Sequence, residues 1–464
     1  MRHLSARGIM LACLAAIAAL ALAVPGSALA KGNPNQCSGV AIEFKGSSFQ
    51  KSLQLKLDPA FNASPAKTAC NGSQGSKGKP GITYHSTGSG CALRTWGIEN
   101  QGLGAGGVEC NETINYGPTT ALAATDDPPN PNQIKEVEAQ ESKPTEESVL
   151  TIPVASGAIT IIMHLPTNCE GTSAWTAGRL VIGDKELEGV FAGTVKKWGE
   201  LKAGGDKLTG TGGKTNEECE NEKIQPAVRK DESGSTHILD KFLFLTDKGS
   251  LADAKGSHTW AERAEGAINT TWPTAANVAT PSGTGGGKLA ELVANTPGDI
   301  GYVDLATARG NSAFGSAGGA NHPTFWAEVE SENKKGKAKY AEPSLNGENG
   351  TTSTANCKKT VYANYKEGKE EPFPPPAATE AWNEVTTKTS EKTYPLCGLT
   401  YVVSLTKYSL VPGTSKEEVQ TVEDFVKFML DKKGGQKIDG EGDYFPLPKP
   451  VASLALGGAA QIGD

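Results

Sequence analysis

Apolar positions along this chain fall into short β-branched runs separated by stretches with helical spacing. Val40 to Phe44, Ile82 to His85, Ile224 to Arg229 and Ile300 to Val303 read as strands. Two longer runs, Leu150 to Leu165 and Tyr394 to Ser404, carry the strongest strand signals. Phe49 to Leu57, a segment from about Ala92, and Thr236 to Leu245 read as helices. Val419 to Asp431 places Val419, Val422, Phe425, Val426 and Met429 on one face of an amphipathic helix. Strands alternating with helices predict an α/β fold with mainly parallel sheets. Thr125 to Glu147, Gly204 to Glu222, Asn333 to Thr354 and Glu371 to Ala377 are polar or rich in Gly and Pro and read as surface loops.

The first 30 residues break this pattern. Arg2 and Arg7 form a basic start, Ile9 to Val24 is almost wholly apolar, and Ala28-Leu29-Ala30 has the small-x-small form of a cleavage site. The expectation is a signal peptide ending near Ala30 and a secreted, cell-envelope or periplasmic protein. No later stretch approaches the ~20 apolar residues of a spanning helix, so the mature chain is not expected to cross a membrane. Too little apolar sequence precedes Cys13 for lipid attachment, and Cys37 sits in a polar context.

Removing 30 of the 464 residues leaves 434, enough for two or three domains. The mature chain then has 43 basic against 52 acidic residues, a net charge of −9. That balance excludes nucleic acid as a partner, which needs clustered Lys and Arg. A small anion remains compatible, because one local Arg and oriented N–H groups outweigh a distant net charge. Eight mature cysteines suggest disulfides. Local spacing suggests Cys37 with Cys70, Cys91 with Cys110, Cys169 with Cys219 and Cys357 with Cys397, among 105 connectivities. No CxxC occurs and the histidines lie far from the cysteines in sequence, so neither a metal nor a cofactor is expected.

Three turns share one design: Gly46-Ser47-Ser48-Phe49, Thr87-Gly88-Ser89-Gly90 and Glu232-Ser233-Gly234-Ser235-Thr236. Each follows a predicted strand and opens a predicted helix. Helix N-termini present unpaired N–H donors and partial positive charge, glycine permits close approach, and serine hydroxyls rotate to donate. One such turn is an ordinary helix cap. Three, with Arg229 just before the third, point to an oxyanion site. Arg229 can either grip a tetrahedral anion with two parallel donors or form a salt bridge with Asp231. Gly283-Thr284-Gly285-Gly286-Gly287-Lys288 is not a P-loop, because Ser282 and Leu289 stand where Gly and Ser/Thr are required. It reads as a flexible loop near the cleft.

The sequence resembles the phosphate-binding proteins of ABC phosphate transporters, over roughly residues 40 to 455. Gly46-Ser47-Ser48-Phe49-Gln50 and Tyr84-His85-Ser86-Thr87-Gly88-Ser89-Gly90 are similar to the first two ligand loops of that family. Ala124-Thr125-Asp126-Asp127-Pro128 resembles its Ala-Ser-Asp-Ala-Pro segment, and Arg229-Lys230-Asp231-Glu232-Ser233-Gly234-Ser235-Thr236 its third ligand loop. Gly193-Thr194-Val195-Lys196-Lys197-Trp198, Gly298-Asp299-Ile300-Gly301-Tyr302-Val303 and Tyr394-Pro395-Leu396-Cys397-Gly398 follow in family order. The resemblance implies a ligand shell of Ser48, the Phe49 amide, Ser89, Asp126, Arg229, Ser233, Gly234 and Ser235. Two departures stand out. Residues Pro118 to Ala123 are inserted before Ala124, and without that insertion Thr120 would take the place of Asp126. A lipid-attachment motif is also missing.

The resemblance implies two α/β lobes of the periplasmic-binding-protein-like fold joined by two hinge crossover strands. Residues 31–157 and 397–464 would form one lobe and residues 158–396 the other. Inorganic phosphate would be held between them for uptake by an ABC permease. Asp126 would favour phosphate over sulfate, because a carboxylate needs a proton that sulfate does not carry. An unpaired buried polar group costs about 1–3 kcal/mol, roughly 5- to 150-fold in relative affinity. Two other readings are a secreted phosphatase and a cell-surface or matrix protein reusing the fold. The first would need a nucleophile beside a base, and neither Ser89 nor Ser233 lies in an elbow motif.

Overall fold

The computed structural model describes residues 40–463, leaving out 64–80, 95, 97–119, 140–148, 172–179, 202–207, 248–257, 274–275, 277, 279–283, 315–322, 335–336, 344–356, 367–368, 391–392 and 442. The expected signal peptide, Cys37, Cys70, Cys110 and the start of the insertion before Ala124 lie outside the described residues. Among those described, no helix is long and apolar enough to cross a membrane.

One large sheet organises the chain. Its strands are β1 (Ile42–Gly46), β2 (Ile82–Ser86), β3 (Thr120–Thr125), β4 (Val149–His164), β5 (Gln225–Pro226), β6 (Asp299–Asp304), β7 (Thr324–Trp326), β8 (Cys397–Leu405) and β9 (Tyr444–Phe445). They run in the order β2-β1-β3-β8-β4-β6-β5, with β7 and β9 also paired to β4. The sheet is mixed, not mainly parallel as the alternation of strands and helices suggested. β1 runs parallel to β2 and β3, and β5 to β6. Every partner of β4 is antiparallel to it, and β8 is also antiparallel to β3. Helical crossovers impose parallel pairing only on strands joined by them. β4 and β8 are brought together from segments more than two hundred residues apart.

β4 is sixteen residues long, and only its last residue, His164, is not fully buried. That is why its sequence is a near-continuous apolar run instead of an alternating one. It pairs with β8 as far as Ala158↔Cys397, and with β6 from Ile159↔Asp304 onward. A separate aromatic cluster lies on each side of this change of partners. Phe425 packs 5.9 Å from Phe44 and 5.1 Å from Phe61 on one side. Phe191 packs 5.4 Å from Trp272 and 5.8 Å from Tyr302 on the other.

Several elements differ from their sequence reading. The strand expected over Ile224 to Arg229 is reduced to Gln225–Pro226, since proline has no N–H for the ladder. Helices begin earlier than expected, at Ser89 and Gly234, because the turn residues themselves form the first turn. Gly204 to Glu222 holds strand Leu208–Gly210 and helix Asn216–Asn221, and helix Pro131–Glu138 lies inside the loop expected after Thr125. The polar stretch from Asn333 contributes to the hairpin of Glu328–Lys334 with Lys337–Ala341. The helix expected near Val419 is Lys416–Leu430, capped by Ser415 and Glu418, and buries all five of its expected apolar residues. Disulfides join Cys169 to Cys219 and Cys357 to Cys397. Cys91 is also disulfide-bonded.

Gly46 closes β1 where only a hydrogen fits, since a β-carbon there would lie 2.4 Å from both Cβ and the carbonyl oxygen of Ala124. Gly46→Ala should therefore lower stability by about 1–3 kcal/mol, the usual cost of overpacking. Chemical denaturation of the two proteins reads this directly, and an unchanged midpoint would mean that β1 and β3 can move apart freely.

Candidate functional site

Three strands of the sheet end at one place. β1 ends at Gly46, β2 at Ser86 and β3 at Thr125, and the turns that follow converge. Ser47 caps its turn by accepting the Phe49 N–H at 3.0 Å. Its hydroxyl donates to Asp126 Oδ2 at 2.7 Å. The Phe49 ring packs edge-on to Tyr444 at 5.7 Å, and the Tyr444 hydroxyl donates to the Phe49 carbonyl. Ser89 opens helix Ser89–Arg94, and its Oγ accepts the Asp126 N–H at 3.4 Å. Asp126 also accepts from Thr400 of β8, at 3.0 Å on Oδ1.

Arg229 and the turn into helix Gly234–Asp247 face these three turns. Arg229 is buried, with Nε and Nη2 both donating to Asp231 and Nη1 donating to Ser48 Oγ at 3.3 Å. The salt bridge with Asp231 is thus formed, and one edge of the guanidinium remains turned towards the first loop. Ser233 and Ser235 are buried on either side of Gly234. A β-carbon on Gly234 would come within 2.3 Å of Asp126 Oδ2, so glycine is what lets the carboxylate sit against this helix start. Asn269 fixes the turn through both the N–H and the carbonyl of Ser233, at 3.1 Å each.

The structure therefore brings Ser48, Ser89, Asp126, Arg229 and Ser233 to Ser235 together. Phe49 is beside them, but its amide N–H is engaged by Ser47. Thr120 starts β3, roughly 20 Å from Asp126 at the rise of an extended strand. The glycine-rich segment contributes more than the sequence suggested. Gly286 opens helix Gly286–Asn295 and donates its N–H to Ser48 Oγ at 3.2 Å, and Gly285 donates to Asp231 Oδ1 at 3.2 Å. Further contacts tie the two sides. Arg94 donates to the Glu232 carboxylate at 3.1–3.2 Å, and Asp127 meets His237 at 3.3 Å.

Sequence reasoning passed over Asp304 and Thr400, which stand just beyond the segments 298–303 and 394–398 and belong to none of the serine–glycine turns. Ser47, Asp231 and Gly286 lay in segments singled out for other residues. Among the described residues, no group of three His, Cys, Asp or Glu is placed to hold a metal ion.

Burial dominates the electrostatics. It pushes the Asp126 carboxyl up to about 7, against the hydrogen bonds from Ser47 and Thr400; Asp304 adds repulsion and Arg229 attraction. Asp304 is pushed up to about 6 by burial, against its bonds to Thr307 and the pull of Arg229. Burial works against the Arg229 charge too, but Asp231, Tyr302 and Asp126 outweigh it and hold the guanidinium protonated. The result is one fixed cation paired with Asp231 and two carboxyls, Asp126 and Asp304, pushed up towards neutrality, beside several hydroxyl and N–H donors.

A mixed sheet whose central strand serves two halves, with donor-rich turns meeting where they face each other, defines the two-lobed PBP-like fold. Residues 42–433 match the PBP superfamily domain, and the chain belongs to that superfamily. It is 23% identical over 368 residues to the phosphate-binding protein PstS of Haemophilus influenzae, covering 77% of this chain and 82% of that protein. Among solved structures it is similar to a human phosphate binding apolipoprotein, with a TM-score of 0.56, 16% identity, and coverage of 90% and 93%. It is also similar to a phosphate-binding protein from Stenotrophomonas maltophilia, with a TM-score of 0.52, 18% identity, and coverage of 89% and 92%.

The raised carboxyls set a pH dependence. Above about pH 4, where an unfolded aspartate has released its proton, the folded chain keeps one on Asp126 up to about pH 7 and one on Asp304 up to about pH 6. Their contribution is fully present below pH 4 and is lost as pH rises through 6 to 7. Without added anion, stability should fall from pH 5 to pH 8, and Asp126→Asn should flatten that slope. Calorimetric unfolding across this range is the measurement; equal slopes would place Asp126 in contact with water.

Proposed function

We propose that this chain is an exported solute-binding protein that captures inorganic phosphate between two lobes, without turnover, for delivery to an ABC-type permease. One lobe would comprise residues 31–157 and 397–464 and the other residues 158–396, hinged where β4 exchanges β8 for β6. The observation that carries the reading is the buried Arg229 fork. Asp231 accepts from Nε and Nη2, while Nη1 faces Ser48 among Ser89, Ser233 and Ser235, with the Asp126 carboxylate nearby. A cation, rotatable hydroxyls and an acceptor together suit a tetrahedral anion that still carries a proton. The names of the relatives agree with this reading.

Phosphate shares its shape with sulfate and both shape and protons with arsenate. Calorimetry should therefore show binding of phosphate and arsenate and much weaker binding of sulfate. Absence of phosphate binding would overturn the proposal.

Arg229 is a demanding target. Its removal alone strands Asp231 in the interior, a defect that costs about 3–5 kcal/mol. Arg229→Met combined with Asp231→Asn removes the pair together. The double variant should fold, by circular dichroism, and bind phosphate at least 100-fold more weakly. Retained affinity would place the site elsewhere.

Asp126→Asn keeps the size of the side chain and adds an N–H₂ donor that sulfate accepts. The ratio of phosphate to sulfate affinity should fall, even where phosphate affinity changes little. An unmoved ratio would remove Asp126 from the pocket.

A further inference from the structure

We propose that Ser47 and Thr400 are positioning residues for anion selectivity. Each donates a hydrogen bond to a different oxygen of Asp126, and together they hold the carboxylate in its acceptor-only form. This rests on the reading of Asp126 given above and adds the groups that make that residue work.

The argument is an account of protons. A hydroxyl has one to give. Ser47 Oγ already accepts the Phe49 N–H, and its proton goes to Asp126 Oδ2 at 2.7 Å. Thr400 Oγ1 already accepts an N–H of Gln50 Nε2 at 2.5 Å. The Gln50 amide cannot reverse without loss, because its oxygen accepts from Gln54 at 2.9 Å and its Nε2 also donates to the carbonyl of Tyr401 at 2.8 Å. The Thr400 proton is left with two acceptors, Asp126 Oδ1 at 3.0 Å and the Thr125 carbonyl at 3.3 Å, and the carboxylate is the nearer. Ser47, Gln50, Thr400 and Asp126 are all buried, so no bulk water takes over a lost bond. Protonating either Asp126 oxygen would weaken it as an acceptor for the hydroxyl that points at it, so both bonds favour the ionised form.

Other groups around Asp126 act in opposite directions. Arg229 favours the ionised form, Asp304 and burial disfavour it, and the tyrosines Tyr401 and Tyr444 and the neighbouring Asp127 complete the surroundings. The two hydroxyls tip this balance. Were Asp126 neutral, its O–H would donate to any oxyanion, and a fully deprotonated one such as sulfate would no longer be turned away. Ser47 and Thr400 therefore set the pH below which discrimination fails.

The test is the affinity for phosphate and for sulfate, by calorimetry from pH 5 to pH 8.5, for the wild type, Thr400→Val, Ser47→Ala and Thr400→Ser. Wild type should prefer phosphate at pH 8 and gain sulfate binding as the pH falls. Thr400→Val keeps the shape and removes the donor. It should lower the phosphate-to-sulfate ratio at pH 7.5 by roughly tenfold, the size of one hydrogen bond to a charged group. It should also move the onset of sulfate binding upward by about one pH unit. Thr400→Ser should restore the wild-type profile. A loss of packing alone would weaken both anions in parallel, and an unmoved ratio and profile in both Thr400→Val and Ser47→Ala overturns the proposal. Where Thr400→Val fails to fold, Ser47→Ala decides on the same readout. A wild type that does not bind phosphate defeats the underlying reading of the site instead.

Discussion

A buried strand must find partners for its backbone on both edges, and in this chain one strand meets that demand by borrowing from two halves of the fold. β4 is bonded to β8 along its first part and to β6 along its second, with β7 and β9 completing its edges. Unpaired N–H and C=O groups in an apolar interior are expensive. The return of the chain from residue 397 to lie against β4 is therefore required by the length of β4 itself. The candidate site lies beside this junction: Asp126 follows β3, Thr400 belongs to β8, and Arg229 follows β5.

The same interior makes charge the second constraint. Arg229, Asp126, Asp231 and Asp304 are all close to fully buried. In such surroundings a charge persists only where hydrogen bonds and opposite charges replace water. Asp231 satisfies two donors of Arg229, the turn at Gly285 supplies Asp231 with a further N–H, and Thr307 supports Asp304. Asp126 stands at the margin, with two hydroxyls and a guanidinium set against burial and a neighbouring carboxyl. A group so balanced responds to whatever comes next to it, which is the property a selective anion site needs.

Much of this was legible in the sequence. The two long apolar runs, the amphipathic face around Phe425, two local disulfides and three glycine–serine turns all stand out, because period, composition and short-range spacing are local properties. Sheet direction was not legible: alternation of strands and helices suggested parallel pairing, and the antiparallel β4 and β8 joined only through a contact spanning more than two hundred residues. Nor were short elements such as helix Asn216–Asn221, where polar composition masked a capped turn of helix held by a disulfide.

At the candidate site, the sequence and its family resemblance by themselves singled out residues with anion-binding chemistry: Ser48, the Phe49 amide, Ser89, Asp126, Arg229 and Ser233 to Ser235. Tertiary structure alone decided their partners. Arg229 had two alternatives in sequence, an anion or Asp231, and its planar fork is wide enough to hold Asp231 and still face Ser48. Thr400 lies outside every turn singled out, yet it orients Asp126 from 274 residues away, and Gln50, quoted only as the end of the first loop, holds Thr400 from behind. Residue type sets what a group can donate or accept. Which proton points where depends on neighbours that only folding brings within three ångströms.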